Sequence, residues 1–166
     1  MIYSVWAIDP GARTGWAWAV CSSRELRRAD PLQLLPQLAA QRRFTAGELT
    51  SPVGYTVKKL VKLFVKVDAT VQLRWPGWQY RKVLVKEGFL DGPRAKSSNK
   101  LLPSRVNAAL DQAVGSWFDE THEQMPSAKA VVSDDRLKRH GLWLPGKPHA
   151  MDGVRHLTVR LRMLSQ

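Results

Sequence analysis

The sequence predicts an α/β fold, a mixed β-sheet covered by helices. Two apolar runs, residues 2–9 and 14–21, flank a short turn containing Pro10-Gly11, as a hairpin requires. Helical periodicity becomes clear only from residue 55. Beyond that point strand and helix patterns alternate, and strands followed by such an alternation favour a mixed sheet with helical cover.

Each element has its own justification. Residues 2–9 are a strand that ends in Asp9, and Thr14–Cys21 is its hairpin partner. Residues 22–40 carry Arg24, Arg27, Arg28 and a Pro31–Pro36 segment, and fit either a long loop or a short helix. A third strand is expected over 41–49. From Tyr55 to Leu73, Val57, Leu60, Val61, Phe64, Val67 and Val71 recur at helical spacing, while lysines fill much of the other surface. Pro76-Gly77 stops that helix. Tyr80–Glu87 contains Val83-Leu84-Val85, a run suited to a central strand, and again ends in an acid. Residues 91–100 are a polar, basic loop. Pro103 fits the first turn of a helix carrying apolar residues as far as Trp117 and Phe118. A short strand is expected near 122–126. A helix over 134–140 has Ser133 as its N-cap and Gly141 after its end, and a last helix runs over 149–163.

The chain of 166 residues fits one domain. Lysine and arginine number 26 against 14 acids, a formal charge of +12 with pI near 10.4. The basic residues spread from Arg13 to Arg162 without a like-charge block, so a folded basic surface is expected, with nucleic acid ahead of membrane as partner. A single cysteine, Cys21, excludes an internal disulfide and a cysteine-cluster zinc site, and favours a reducing compartment. The N-terminus lacks a signal-peptide pattern and no apolar run approaches bilayer length, so a cytoplasmic protein is expected.

Three acids stand where a metal site could use them. Asp9 and Glu87 each close a strand, and Asp152 lies in the first turn of the last helix. Adjacent parallel strands share a carboxyl edge, where open α/β sheets bind ligands. Hard oxygen ligands suit Mg²⁺, and two such ions can activate water and stabilise the leaving oxygen of a phosphodiester. On the last helix His149, Asp152 and His156 fall in one arc, while Val154, Leu157, Leu161 and Leu164 form a core stripe. Gly153 lies between them, where a missing side chain lets the helix approach the sheet. Strand-end acids are often merely solvated, and His149 and Asp152 at a helix start can serve as cap and dipole partner alone.

The segment Ile8-Asp-Pro-Gly-Ala-Arg-Thr-Gly-Trp-Ala17 resembles the first motif of RuvC-like nucleases. Val85-Lys-Glu-Gly-Phe89 resembles their middle motif. Pro126-Ser-Ala-Lys129, Asp134 to Trp143, and His149-Ala-Met-Asp-Gly-Val-Arg-His156 resemble the C-terminal half of versions encoded by actinobacterial phages. The similarity is weakest over 22–75. It implies a ribonuclease-H-like α/β domain across 1–166, three antiparallel strands and then parallel strands alternating with helices. It further implies a Holliday junction resolvase that uses Mg²⁺, with Mn²⁺ as substitute. Asp9, Glu87 and Asp152 would be catalytic metal ligands, and His149 stands where bacterial members carry Asp. Gly88 replaces a usual Asp. Lys86 precedes Glu87 where a small or apolar residue is commoner, but strand alternation turns it to the opposite face.

Phosphate contacts are expected from Lys58 and Lys62 on the lysine-bearing helix, Arg94, Lys96 and Lys100 in the basic loop, Lys147, and Arg155. Trp75, Trp78 and Trp143 are candidates for stacking on unpaired bases, the other tryptophans for core. The resemblance implies a homodimer, host cytoplasm if phage-encoded, and branched DNA as partner: four-way junctions, flaps or forks. The Leu60–Phe64 helix and the 101–118 helix are the amphipathic surfaces available for self-association. Two alternatives stand beside this reading: a YqgF-type nuclease acting on structured RNA, and a non-catalytic basic protein that binds nucleic acid.

Overall fold

A computed structural model describes residues 1–88 and 101–166. The basic loop 91–100, with Arg94, Lys96 and Lys100, lies outside the described residues. The chain builds a five-stranded mixed sheet in the order β3-β2-β1-β4-β5. Strand β1 (Ile2–Asp9) forms the expected hairpin with β2 (Arg13–Ser22), and β3 (Phe44–Thr50) adds antiparallel to β2. On the other side β4 (Tyr80–Glu87) runs parallel to β1, and β5 (Glu120–Gln124) parallel to β4. Asp9 and Glu87 therefore end neighbouring strands at one edge.

The ambiguous stretch 22–40 is two helices, α1 (Ser23–Arg28) and α2 (Pro31–Ala40). Ser22 and Glu25 form a reciprocal capping box at α1, and Asp30 accepts from Leu32 N–H to cap α2. Leu26, Leu32, Leu35 and Leu38 are buried beneath them. Strand β3 starts later than expected because Gln41 and Arg42 turn the chain, Arg42 at φ 56°. Helix α3 (Val53–Arg74) is as its periodicity predicts. Helix α4 (Leu101–Val114) ends before Trp117 and Phe118, which pack instead from the turn that follows. The fifth strand lies two residues earlier than expected because Pro126 opens a 3₁₀ helix, Pro126–Val131, absent from the sequence expectation. Helices α5 (Asp134–Arg139) and α6 (Pro148–Leu164) follow closely as read.

The two sheet faces have separate cores. Helix α6 covers Val5, Ala7, Ala17, Ala19, Val83 and Val85, while α3 and α4 cover Trp6, Ile8, Trp18, Val20 and Leu84. Leu60, Phe64 and Leu110 are buried in this second core, so the apolar stripes of α3 and α4 pack on the sheet. Two glycines set the approach of α6. A Cβ on Gly15 would lie 1.8 Å from the His149 carbonyl oxygen, and one on Gly153 3.0 Å from the Trp16 carbonyl carbon. Only bare backbone on both sides lets the helix start lie directly across β2.

Candidate active site

Strand alternation aims Asp9 and Glu87 at the α6 side of the sheet, and the close approach of α6 brings its first turns over both. His149 Nδ1 lies 2.9 Å from Asp9 Oδ2. Asp152, one turn on, faces the same cleft of about 300 Å³, whose wall also includes Leu102 and Pro103 from the start of α4. His156, two turns along, is fully buried with Nε2 2.8 Å from Glu87 Oε2. Two sets of ligand atoms lie mutually within 4.8 Å, Asp9–Glu87–His156 and Asp9–His149–Asp152, and they share Asp9.

The 3₁₀ helix contributes the cation. Lys129 Nζ stands 2.6 Å from Glu87 Oε2, 2.9 Å from Asp152 Oδ2 and 3.2 Å from Asp9 Oδ1. The carboxylates tune one another through it. Burial pushes the Asp9 carboxyl up to about 6, against the pull of Lys129 and a hydrogen bond from His149. Burial also acts upward on Glu87, but hydrogen bonds and charge from His156 and Lys129 outweigh it and leave that carboxyl below its ordinary range. Burial opposes the Lys129 charge, yet its bonds to Glu87 and Asp152 hold the ammonium well above the ordinary lysine value.

Asp9, Glu87, His149 and Asp152, remote in sequence, thus meet in one cleft. Lys58 and Lys62 are exposed on α3, which begins at the same sheet edge because Thr50 pairs with Arg13; Lys147 is exposed two residues before His149. Arg155 corrects its expectation. It is buried, donates to Val132 O and to Asp152 Oδ1, and pairs with Asp134, so its guanidinium braces the site instead of facing phosphate. Arg162 pairs with Asp30 at the far end of α6. Among the stacking candidates, Trp78 is exposed, whereas Trp75 packs near Arg43 and Arg74, and Trp143 lies beneath Lys138. Lys86 points to the opposite face as alternation requires, and is buried with its ammonium 2.5 Å from Asp111 on α4.

Sequence reading left Lys129 and Gln124 without a role. No periodicity marks a 3₁₀ turn after an edge strand; the resemblance took in Pro126–Lys129 without giving Lys129 a task, and nothing local pointed to Gln124. His156 had a signal, its place on the His149–Asp152 arc.

Neither the family models nor the curated proteins contain a match to this sequence. Solved structures do. The chain is similar to Thermus thermophilus RuvC in complex with Holliday junction substrate, at 12% identity over 99% of this chain and 97% of that one, with a TM-score of 0.54. A second structure of Thermus thermophilus RuvC matches at 11% identity over 96% and 92% of the two chains, with a TM-score of 0.49. The fold is the ribonuclease-H-like fold of RuvC. No helix among the described residues is long and apolar enough to cross a membrane.

Proposed function

We propose that this chain is a single-domain, divalent-metal-dependent endonuclease that nicks phosphodiesters in branched DNA, four-way junctions above all. One observation carries the reading: three carboxylates from β1, β4 and α6 converge on a single cation at the edge of a RuvC-like sheet. Concentrated anionic charge of this kind is costly without a positive partner. The donor set, three carboxylates with imidazole nitrogens at hand, fits a hard cation such as Mg²⁺ or Mn²⁺.

Asp9, shared by both ligand sets, would hold divalent metal together with Glu87, His149 and Asp152. Bound metal would activate water and neutralise charge on the leaving oxygen. The chain's own residues then have separable tasks. Arg155 fixes one oxygen of Asp152, His149 orients Asp9, and Lys129 brings a positive charge to the position a scissile phosphate would approach. Lys58, Lys62 and Lys147 would hold flanking phosphates, with Arg94, Lys96 and Lys100 as further candidates from the sequence. The net charge of +12 supports a polyanionic substrate. The RuvC neighbour bound to a junction favours branched DNA over structured RNA. Paired nicks across a junction would further require two copies of the chain related by a two-fold axis.

The test is cleavage of a labelled four-way junction, with flap and linear duplex controls, in Mg²⁺, Mn²⁺ and EDTA, for wild type and Asp9→Asn. Paired nicks lost with EDTA or Asp9→Asn are expected. Cutting of flaps alone would remove the junction preference, and binding without metal-dependent cutting would favour a non-catalytic nucleic-acid-binding role.

A further inference from the structure

Gln124 ends β5 beside Glu87, its partner in the β4–β5 ladder, and its carbonyl accepts from Gly88 N–H at 2.8 Å. Its side-chain amide meets His156 on the far side of the ring from Glu87. The imidazole is fully buried, with Nδ1 2.9 Å from the amide oxygen and Nε2 2.8 Å from Glu87 Oε2. Both ring nitrogens thus face oxygen, and the buried Gln124 Nε2 has no partner among the described residues. Turning the amide over about its last bond resolves both features. Gln124 Nε2 then donates to Nδ1, and the ring donates its one N–H from Nε2 to Glu87. A buried amide N–H without an acceptor is rarer than an under-used carbonyl oxygen, so the turned arrangement is preferred.

From this geometry we infer that Gln124 is a positioning residue: it fixes His156 as the Nε2–H tautomer, so that His156 orients the Glu87 carboxylate instead of binding metal. The inference rests on the reading of Glu87 as a metal ligand. A ring nitrogen that donates a proton has no lone pair to offer a cation, so of the ligand sets in the cleft only Asp9–His149–Asp152 keeps its imidazole. Lys129 and His156 both reach Glu87 through Oε2, which leaves Oε1 to turn toward a cation. Partners that brace a ligating carboxylate in this way set its angle, and their loss lowers metal affinity by about 10–100-fold.

The experiment is a long-range proton–nitrogen spectrum of the ¹⁵N-labelled full chain, first metal-free and then with Mg²⁺. The chain has four histidines, and loss of one set of signals in His156→Gln identifies the ring. A protonated Nε2 with a bare Nδ1, unchanged by Mg²⁺, is expected. Gln124→Met should release the tautomer and weaken Mn²⁺ binding, read by electron paramagnetic resonance of the free ion, about tenfold. Gln124→Glu, an acceptor only, should add a proton at Nδ1 and leave the ring doubly protonated between two carboxylates. A wild-type proton on Nδ1, or a ring whose protonation is indifferent to both Gln124 substitutions, would overturn the inference, and the wild-type spectrum, assigned through His156→Gln, decides even if the Gln124 variants do not fold. Cleavage is not read, so a chain with the expected tautomer that cuts no DNA would refute the nuclease reading alone.

Discussion

The two faces of one sheet edge have opposite tasks, and adjacent residues of β4 divide them. Glu87 faces α6 and joins Asp9, Asp152 and Lys129 in the open cleft. Lys86 faces α4, where Asp111 pairs with it and Asn107 donates to the Glu87 carbonyl at 3.0 Å. Behind Lys86 lies an aromatic core in which Phe64 meets Trp6 edge-on at 4.6 Å, with Trp16 and Trp18 each 6.0 Å from Trp6. One face gathers like charges at a cost in stability. The apolar cores on both faces supply the burial that offsets the cost. A substitution should therefore damage chemistry or folding according to whether it touches the charged cleft or an apolar core.

Asp9→Asn should break the first face most completely. Losing a shared metal ligand removes several kcal/mol of transition-state stabilisation, so junction cleavage should fall by about three powers of ten. Thermal unfolding should shift little, because burial offsets what the carboxylate gains from Lys129 and His149. On the second face Trp6→Ala should do the reverse, destabilising the chain by about 3–5 kcal/mol in a urea titration. Mn²⁺ affinity of its folded fraction should stay near wild type. Equal damage to both properties in either variant would end the division of labour.

Acidity sharpens the same contrast. Asp9 titrates at about 6 in the folded chain against an ordinary 3.8. Between those values the folded protein holds a proton that the unfolded chain has released. The Asp9 contribution to metal-free stability therefore falls as pH rises from about 4 to about 6. Metal affinity should rise over the same interval, by up to about tenfold per pH unit, because the ion displaces that proton. Calorimetric Mn²⁺ titrations across this range check the slope, which Asp9→Asn should flatten.

Lys129→Met removes a cation tethered among the carboxylates proposed to hold metal. Mn²⁺ should bind up to about tenfold more tightly, as expected when a charge within a few Å stops competing, while cleavage slows because the phosphate loses a positive neighbour. Tighter binding with unimpaired cleavage would remove Lys129 from the chemistry. The smallest effect is expected from Lys58→Ala with Lys62→Ala. These exposed residues should change junction affinity a few-fold, lowering the salt-dependence slope by about 0.9 for each phosphate no longer neutralised, with no change in the rate of bound substrate.

Much of this was legible in the sequence because local rules decided it. Strand periodicity fixed β1 and β4 to the residue, and so placed Asp9 and Glu87 at strand ends and Lys86 on the reverse face. The helical arc put His149, Asp152 and His156 together, and Gly153 marked where α6 touches backbone. The stretch 22–40 stayed open between loop and helix because its caps, Ser22 with Glu25 and Asp30 with Leu32, compete with the turn signals of Pro31 and Pro36.

Other features existed only once the chain closed. The Arg155 guanidinium was free to face phosphate as far as its helix position could say, and it is buried because Val132 and Asp134 arrive from outside the helix. Lys129 meets three carboxylates because a 3₁₀ turn follows an edge strand, and Gln124 touches His156 because β5 lies beside β4. Periodicity reports which face a residue occupies, since that depends on its own backbone. Which group it meets there depends on how separate elements are stacked, and that information is distributed over the whole chain.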